Sequence, residues 1–210
     1  MAAKYLVGPI TQTMTAVLVL QLVEQGQLSL SNTLGEQLPD VVLTLAYTQN
    51  VTIGQLLEHR SGIPDYLGTS ELERLCRDSA ARMKQYTPDD VVKMINNSGG
   101  ASFTPGADFE LSTSNYYLIG LVLEKVTGMS LFHLFQTKIF DPVGMCHSEY
   151  LNATPSPVDY TGSCWSNTVG VTLDTKNYNP SLAGAAGAVV SNAADMAVFM
   201  MKLFSGVFFS

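Results

Sequence analysis

Charge is what this sequence has least of. Only 14% of its 210 residues are Asp, Glu, Lys or Arg, against roughly a quarter in ordinary soluble domains. The eleven basic residues are scattered through a chain of net charge −7. A nucleic-acid footprint needs a basic face, so that partner class is excluded. The acidic excess is equally dispersed and points to no ligand. Cysteine is scarce too. Cys76, Cys146 and Cys164 form no CxxC pair, and an odd number cannot close into a full disulfide set; one bridge and three buried thiols both stay open. Apolar runs long enough to span a bilayer are missing. The first apolar run is broken by Pro9, Thr11, Gln12 and Thr13 before any small-residue cleavage site, so no signal peptide is expected and the compartment is left open. Asn50, Asn96 and Asn152 head glycosylation triplets that matter only in a secreted protein. His133 and His147 have no carboxylate or cysteine at ligand spacing, so neither a metal site nor a cofactor is expected.

A core is what the sequence does have. Apolar residues make up 46% of it, enough for one domain or slightly more. Gly8 and Pro9 suit a helix start. The run from Ile10 to Glu24 is apolar on most faces, which predicts a buried helix closed by Gly26. Thr52 opens a short helix over 53–59, stopped by Ser61-Gly62-Ile63-Pro64. Ser70 with Glu73 predicts a helix of about 71–84, and Thr87-Pro88-Asp89-Asp90 another of about 88–96. Asn115 to Val126 reads as an apolar helix ended by Gly128, Leu131 to Phe135 as a short one, and Ser191 as the cap of a last helix over 192–204. Strand signals are few: Tyr5–Val7, Gly170–Leu173 and Ala188–Val190. The chain is therefore expected to be mostly helical with scraps of sheet, and it closes on the apolar run Gly206-Val207-Phe208-Phe209.

Three stretches carry a family resemblance: IGQLLEHRSGIPDY (53–66), PGADFELSTSNYYLIGLVLEKVTGMSL (105–131) and IFDPVGMCHS (139–148). With QLVEQGQLSLSNTLGEQLPD (21–40) and GAVVSNAADMAVFM (187–200) in the same order, they resemble the serine β-lactamase-related family. That family includes class C β-lactamases, D-alanyl-D-alanine carboxypeptidases and related esterases. The resemblance implies an α+β, β-lactamase/transpeptidase-like fold. It makes residues 1–210 a partial domain, mostly the helical region with an incomplete antiparallel sheet. It also implies acyl-enzyme chemistry, from a serine and a lysine three residues later at the start of a buried helix. A tyrosine and an asparagine two residues apart follow, then a basic or histidine residue before glycine on an inner strand.

In this register the serine position holds Pro9 and the lysine position Gln12, while Leu111 and Thr113 stand for the tyrosine and asparagine. The third motif would fall after residue 200. None of the seven lysines has a serine three positions before it, and no GxSxG elbow exists. Ser112, Thr113 and Asn115 read first as a helix cap and polar loop, and second as the rim of an old binding pocket for an unknown small molecule. His59 reads as a hydrogen-bonded scaffold residue beside a turn, and Cys146-His147 has the wrong geometry for a nucleophile and base.

Two functions follow from different classes. One is a non-catalytic family member, a pseudoenzyme. The other is an active serine hydrolase of which this chain is an incomplete piece. A helical region short of its sheet, with so little charge, is further expected to self-associate or to need a missing C-terminal segment.

Overall fold

The computed structural model describes residues 3–68, 71, 74–75, 78–151, 160–161, 164–166, 172–174 and 178–209. Its centre is helix α1, Ile10–Glu24, whose Met14, Val17, Leu18, Val19 and Leu22 are all buried. The helix is apolar around its whole circumference, so it sits inside the molecule. Two buried threonines are tolerated because they have partners. Thr15 donates its hydroxyl to Ala185 O at 2.7 Å, and Thr11 Oγ1 accepts the Val189 N–H. Pro9 occupies the cap position and offers no side-chain acceptor to the first turn. The first amides are satisfied by tight i to i+3 bonds instead: Ile10 to Val7 O, Thr11 to Gly8 O and Gln12 to Pro9 O. Gly26, left-handed at φ +69°, follows the helix end as the sequence predicts.

Capping boxes set the next elements. Thr52 with Gln55 opens α2, Ile53–Leu57, and Thr87 with Asp90 opens α3, Pro88–Asn97. A third box, Thr33 with Glu36, starts a short helix, Leu34–Gln37, that the hydrophobic pattern does not announce. Helix α4, Thr113–Thr127, ends at Gly128 in the left-handed region. It packs against α1 and the turn Gly184–Ala186. That contact requires Gly120: a Cβ there would stand 2.8 Å from the Ala185 Cβ.

Three helical expectations need correction. The single helix over 71–84 is interrupted at Asp78. Asp78 is extended, and its carboxylate accepts from Ala80 and Ala81 N–H to start a fresh turn, Ser79–Met83. Ser70 and Glu73, expected to box the start, lie outside the described residues. The short helix at Leu131 stops at Leu134 and continues as a π-helical turn, Phe135–Phe140. The last helix, α5, spans Ala193–Phe204 and is capped by Asn192 rather than Ser191. Ser191 ends a strand, and its hydroxyl meets that of Ser148.

The strands are short. β1 (Tyr5–Leu6), β2 (Glu149–Tyr150) and β5 (Val189–Ser191) form an antiparallel sheet in the order β1-β5-β2, with Leu6 and Glu149 both opposite Val190. β3 (Cys164–Ser166) and β4 (Thr172–Asp174) make a separate antiparallel pair. β2 and β3 are too short to show a period of two, and most of the Gly170–Leu173 signal falls outside the described residues. The architecture is α+β, mostly helical, with a small open antiparallel sheet.

Candidate functional site

The first turn of α1 brings Pro9 and Gln12 to one edge of the molecule, Pro9 exposed and Gln12 half-buried. Opposite them the chain must reverse after α2, and it does so through His59 at φ +55°, the one non-glycine residue with positive φ among those described. Such a backbone is costly for a residue with a Cβ and persists only where its surroundings fix it. The segment 102–112 does the fixing. Ser102 N–H donates to Gly62 O, Gly106 N–H to Arg60 O and Glu110 N–H to His59 O, and the Arg60 guanidinium bonds Gly106 O. Gly62 is equally constrained, since a Cβ there would lie 2.1 Å from Phe103 O.

The result is an imidazole held on both nitrogens. Ser112 N–H donates to His59 Nδ1 at 3.2 Å, and the Asn115 side-chain amide approaches the same nitrogen at 3.2 Å. Two donors on Nδ1 leave it unprotonated, so the proton rides on Nε2. Nε2–H then donates to Gln12 Oε1 at 3.2 Å. The ring lies between Phe109, edge-on at 6.2 Å between centroids, and Tyr116 at 5.2 Å. Burial is the largest influence on the His59 pKa, and it lowers it. The histidine is neutral, and its one N–H is taken by a carboxamide.

Behind it, Asn115 is fully buried and accepts the Ser61 hydroxyl proton at 2.6 Å, while Ser61 Oγ accepts the Ile63 N–H. Thr113, half-buried, donates its hydroxyl to Asp65 at 3.0 Å. Ser112 sits at the cap of α4 but makes no side-chain cap, and its buried hydroxyl has no partner among the described residues. Leu111 is 63% exposed. The structure therefore brings Gln12, Ser112 and Asn115 together through His59, ties Thr113 to Asp65, and leaves Pro9 and Leu111 at the surface. Cys146 is also exposed, and the neighbouring His147 pairs with Asp195 rather than with the thiol. Cys76 and the side chain of Cys164 are outside what is described. Among the described residues no group of three or more His, Cys, Asp or Glu side chains could hold a metal ion, and no single helix is long and apolar enough to cross a membrane.

The sequence reads His59 as a hydrogen-bonded scaffold residue beside a turn; what it does not reveal is which side chains it bonds. Its partners Gln12, Ser112 and Asn115 lie 47, 53 and 56 positions away, and no local pattern links them. Chemically, the cluster offers a fixed neutral imidazole, carboxamides and hydroxyls. Proline has no hydroxyl and a carboxamide is no base near neutral pH, so Pro9 and Gln12 cannot supply a nucleophile and its activator. The Ser61 hydroxyl donates to an amide oxygen, which does not raise its nucleophilicity.

Comparison with known proteins identifies the family and the fold. The Beta-lactamase family model matches residues 3–208. A penicillin-binding protein of Bacillus subtilis (strain 168) is 31% identical over 149 residues, 70% of this chain and 31% of its own length. Protein flp of Staphylococcus aureus (strain N315) is 29% identical over 148 residues, 70% of this chain and 28% of its own. Among solved structures, a D-stereospecific amidohydrolase from Streptomyces sp. superposes with a TM-score of 0.84 at 28% identity, covering 100% of this chain and 63% of that one. A penicillin-binding protein from Bacillus halodurans gives 0.82 at 25%, covering 99% and 62%. The aligned part of the chain thus spans less than a third of those curated relatives, and the chain spans under two thirds of the solved neighbours.

Proposed function

The chain belongs to the Beta-lactamase family, whose fold it has, and we propose that it is a non-catalytic member, a pseudoenzyme. The Gln12–His59 contact carries this reading. Where the family resemblance puts a lysine, a carboxamide oxygen accepts the imidazole N–H, so the neutral tautomer of His59 is matched to glutamine. A lysine ammonium would present a donor to that same donor. Three positions earlier, where the resemblance puts the attacking serine, Pro9 has no oxygen to deliver.

With neither nucleophile nor activator, ligands meet this site without acylating it. The ligands to try first are β-lactams and small amides, because the similar proteins are penicillin-binding proteins and an amidohydrolase. The test is intact-mass analysis after incubation with a penicillin or a fluorophosphonate probe. No covalent adduct is expected; stoichiometric labelling of any serine would overturn the reading.

The coverage figures favour a second reading, in which residues 1–210 are a partial domain of a longer serine hydrolase. A downstream segment could then supply the third motif. No downstream segment can put a serine at position 9 or a lysine at position 12. The coding sequence on both sides of the present ends separates the two readings.

A further inference from the structure

Away from His59, a cavity of about 170 Å3 lies between α4, the Ser130–Phe132 stretch, β2 and the Gly184–Ala186 turn. Four aromatic rings line it: Tyr86, Tyr117, Phe132 and Tyr150. Among the described residues lining it, Glu124 is the only one with a charged side chain, and none is lysine or arginine. The rings are held from behind. Tyr150 stacks on Phe135 at 4.9 Å, and Tyr117 stands edge-on to Tyr66 at 5.9 Å. The Gly184 backbone lies so close to Tyr117 that a Cβ there would meet the ring at 2.9 Å.

Tyr86, Ser130 and Ser181 in the lining already make hydrogen bonds, with Ala81 O, His133 N–H and Tyr86 N–H; the other polar side chains are less engaged. Glu124 uses one carboxylate oxygen, Oε1, to accept the Leu131 N–H at 2.9 Å. Among the described residues its second oxygen takes no hydrogen bond, and neither the Tyr117 nor the Tyr150 hydroxyl has a partner. The carboxylate is close enough to both tyrosines to push their ionisation further up, beyond the effect of burial. Aromatic faces attract cations through their quadrupole, and one already sits on Tyr86, where Lys84 Nζ lies 5.0 Å from the ring centroid. Lys84 is itself paired with Asp90 at 3.0 Å.

We propose that this cavity binds a small primary alkylammonium ion. An –NH3+ group has three donors and no acceptor, which matches the free Glu124 oxygen and the two tyrosine hydroxyls. Its alkyl chain would lie against the rings. At about 30 Å3 for each water-sized group, the space holds roughly five or six heavy atoms. Butylammonium is of that size.

The test is an NMR or calorimetric titration of the whole chain with butylammonium chloride at constant ionic strength, beside 1-butanol and tetramethylammonium. Saturable butylammonium binding is expected, with a Kd on the order of 1 mM. Glu124→Gln keeps an oxygen for the Leu131 N–H and is expected to weaken binding about tenfold through loss of the charged acceptor. Tyr150→Phe keeps the stack on Phe135 and should weaken it about threefold, the effect of one neutral hydrogen bond. Absence of saturable binding, equal affinity for 1-butanol, or an unchanged affinity in folded Glu124→Gln would each overturn the proposal. Tetramethylammonium binding as tightly as butylammonium would overturn it too, because that ion has no N–H to give. Should Glu124→Gln fail to fold, an unchanged affinity in Tyr150→Phe has the same force.

Discussion

Truncating Asn115 to alanine tests whether the His59 cluster is a coupled network or a set of coincidental contacts. The Asn115 side chain is fully buried, accepts from Ser61 at 2.6 Å and donates to His59 Nδ1 at 3.2 Å. Without it the Ser61 hydroxyl still accepts the Ile63 N–H but loses the acceptor for its own proton. A buried donor left unpaired costs about 1–3 kcal/mol. The vacated space under α4 adds roughly another 1 kcal/mol, as partial collapse leaves contacts unmade. The expected destabilisation is therefore about 2–4 kcal/mol, which lowers Tm by roughly 5–15 °C in a chain of this size. Gln12→Ala makes the contrast. Gln12 is half-buried, so water can replace it at His59 Nε2, and the cost should stay below about 1 kcal/mol. Urea unfolding of both single variants and the double variant would measure the costs and their coupling. An Asn115→Ala cost within about 0.5 kcal/mol of zero, or a Gln12→Ala cost equal to it, would refute the network.

Restoring the family residues should not restore the chemistry: Pro9→Ser with Gln12→Lys is expected to give little esterase turnover while Leu111 and Thr113 remain, because catalytic groups act as a unit. Substantial turnover in a chromogenic ester assay would count against that. The pKa of His59 is lowered in the fold, so the unfolded chain takes up a proton first as pH falls. Its stabilising contribution is complete above about pH 6.5, the unfolded value, and is lost as pH drops from there toward the folded value. Denaturant midpoints at pH 7.5 and 5 should show the loss in wild type and less of it in His59→Gln. Asp90, lowered to about 2 by its bonds from Thr87 and Lys84, matters only at more acid pH. Gly120→Ala should cost about 1–3 kcal/mol by overpacking against Ala185, read as a lower urea midpoint with unchanged slope. Leu20, Met201, Phe204 and Val207 are exposed, Phe204 to 83%, and we expect the isolated chain to self-associate. A single monomeric species in sedimentation velocity, with a sharp unfolding transition, would contradict this.

How much of this was legible depended on the length scale of each interaction. Helix starts that rest on a three-residue reciprocal bond, Thr52 with Gln55 and Thr87 with Asp90, can be read directly from spacing. So can α1, because an all-round apolar run has few other places to go. Asp78 shows the limit. A cap residue in mid-helix is a competing local minimum, and here it wins, with Leu75 and Ala81 buried in the core on either side of it. The sheet was harder still, since two- and three-residue strands owe their existence to partners about 40 to 185 positions away. The site was legible as positions but not as a constellation. Ser112, Thr113 and Asn115 lie within four residues, yet Thr113 turns to Asp65 while Ser112 and Asn115 meet on His59, and only the left-handed turn at His59 turns a scaffold histidine toward α1.

The same geometry explains why the fold tolerates what stands at Pro9 and Gln12. The start of α1 is satisfied by backbone bonds and needs no serine. The core below begins at Thr11 and Met14 and does not depend on either residue. On the proposed reading the scaffold and the chemistry belong to different side chains, so the fold does not depend on which residues stand at positions 9 and 12.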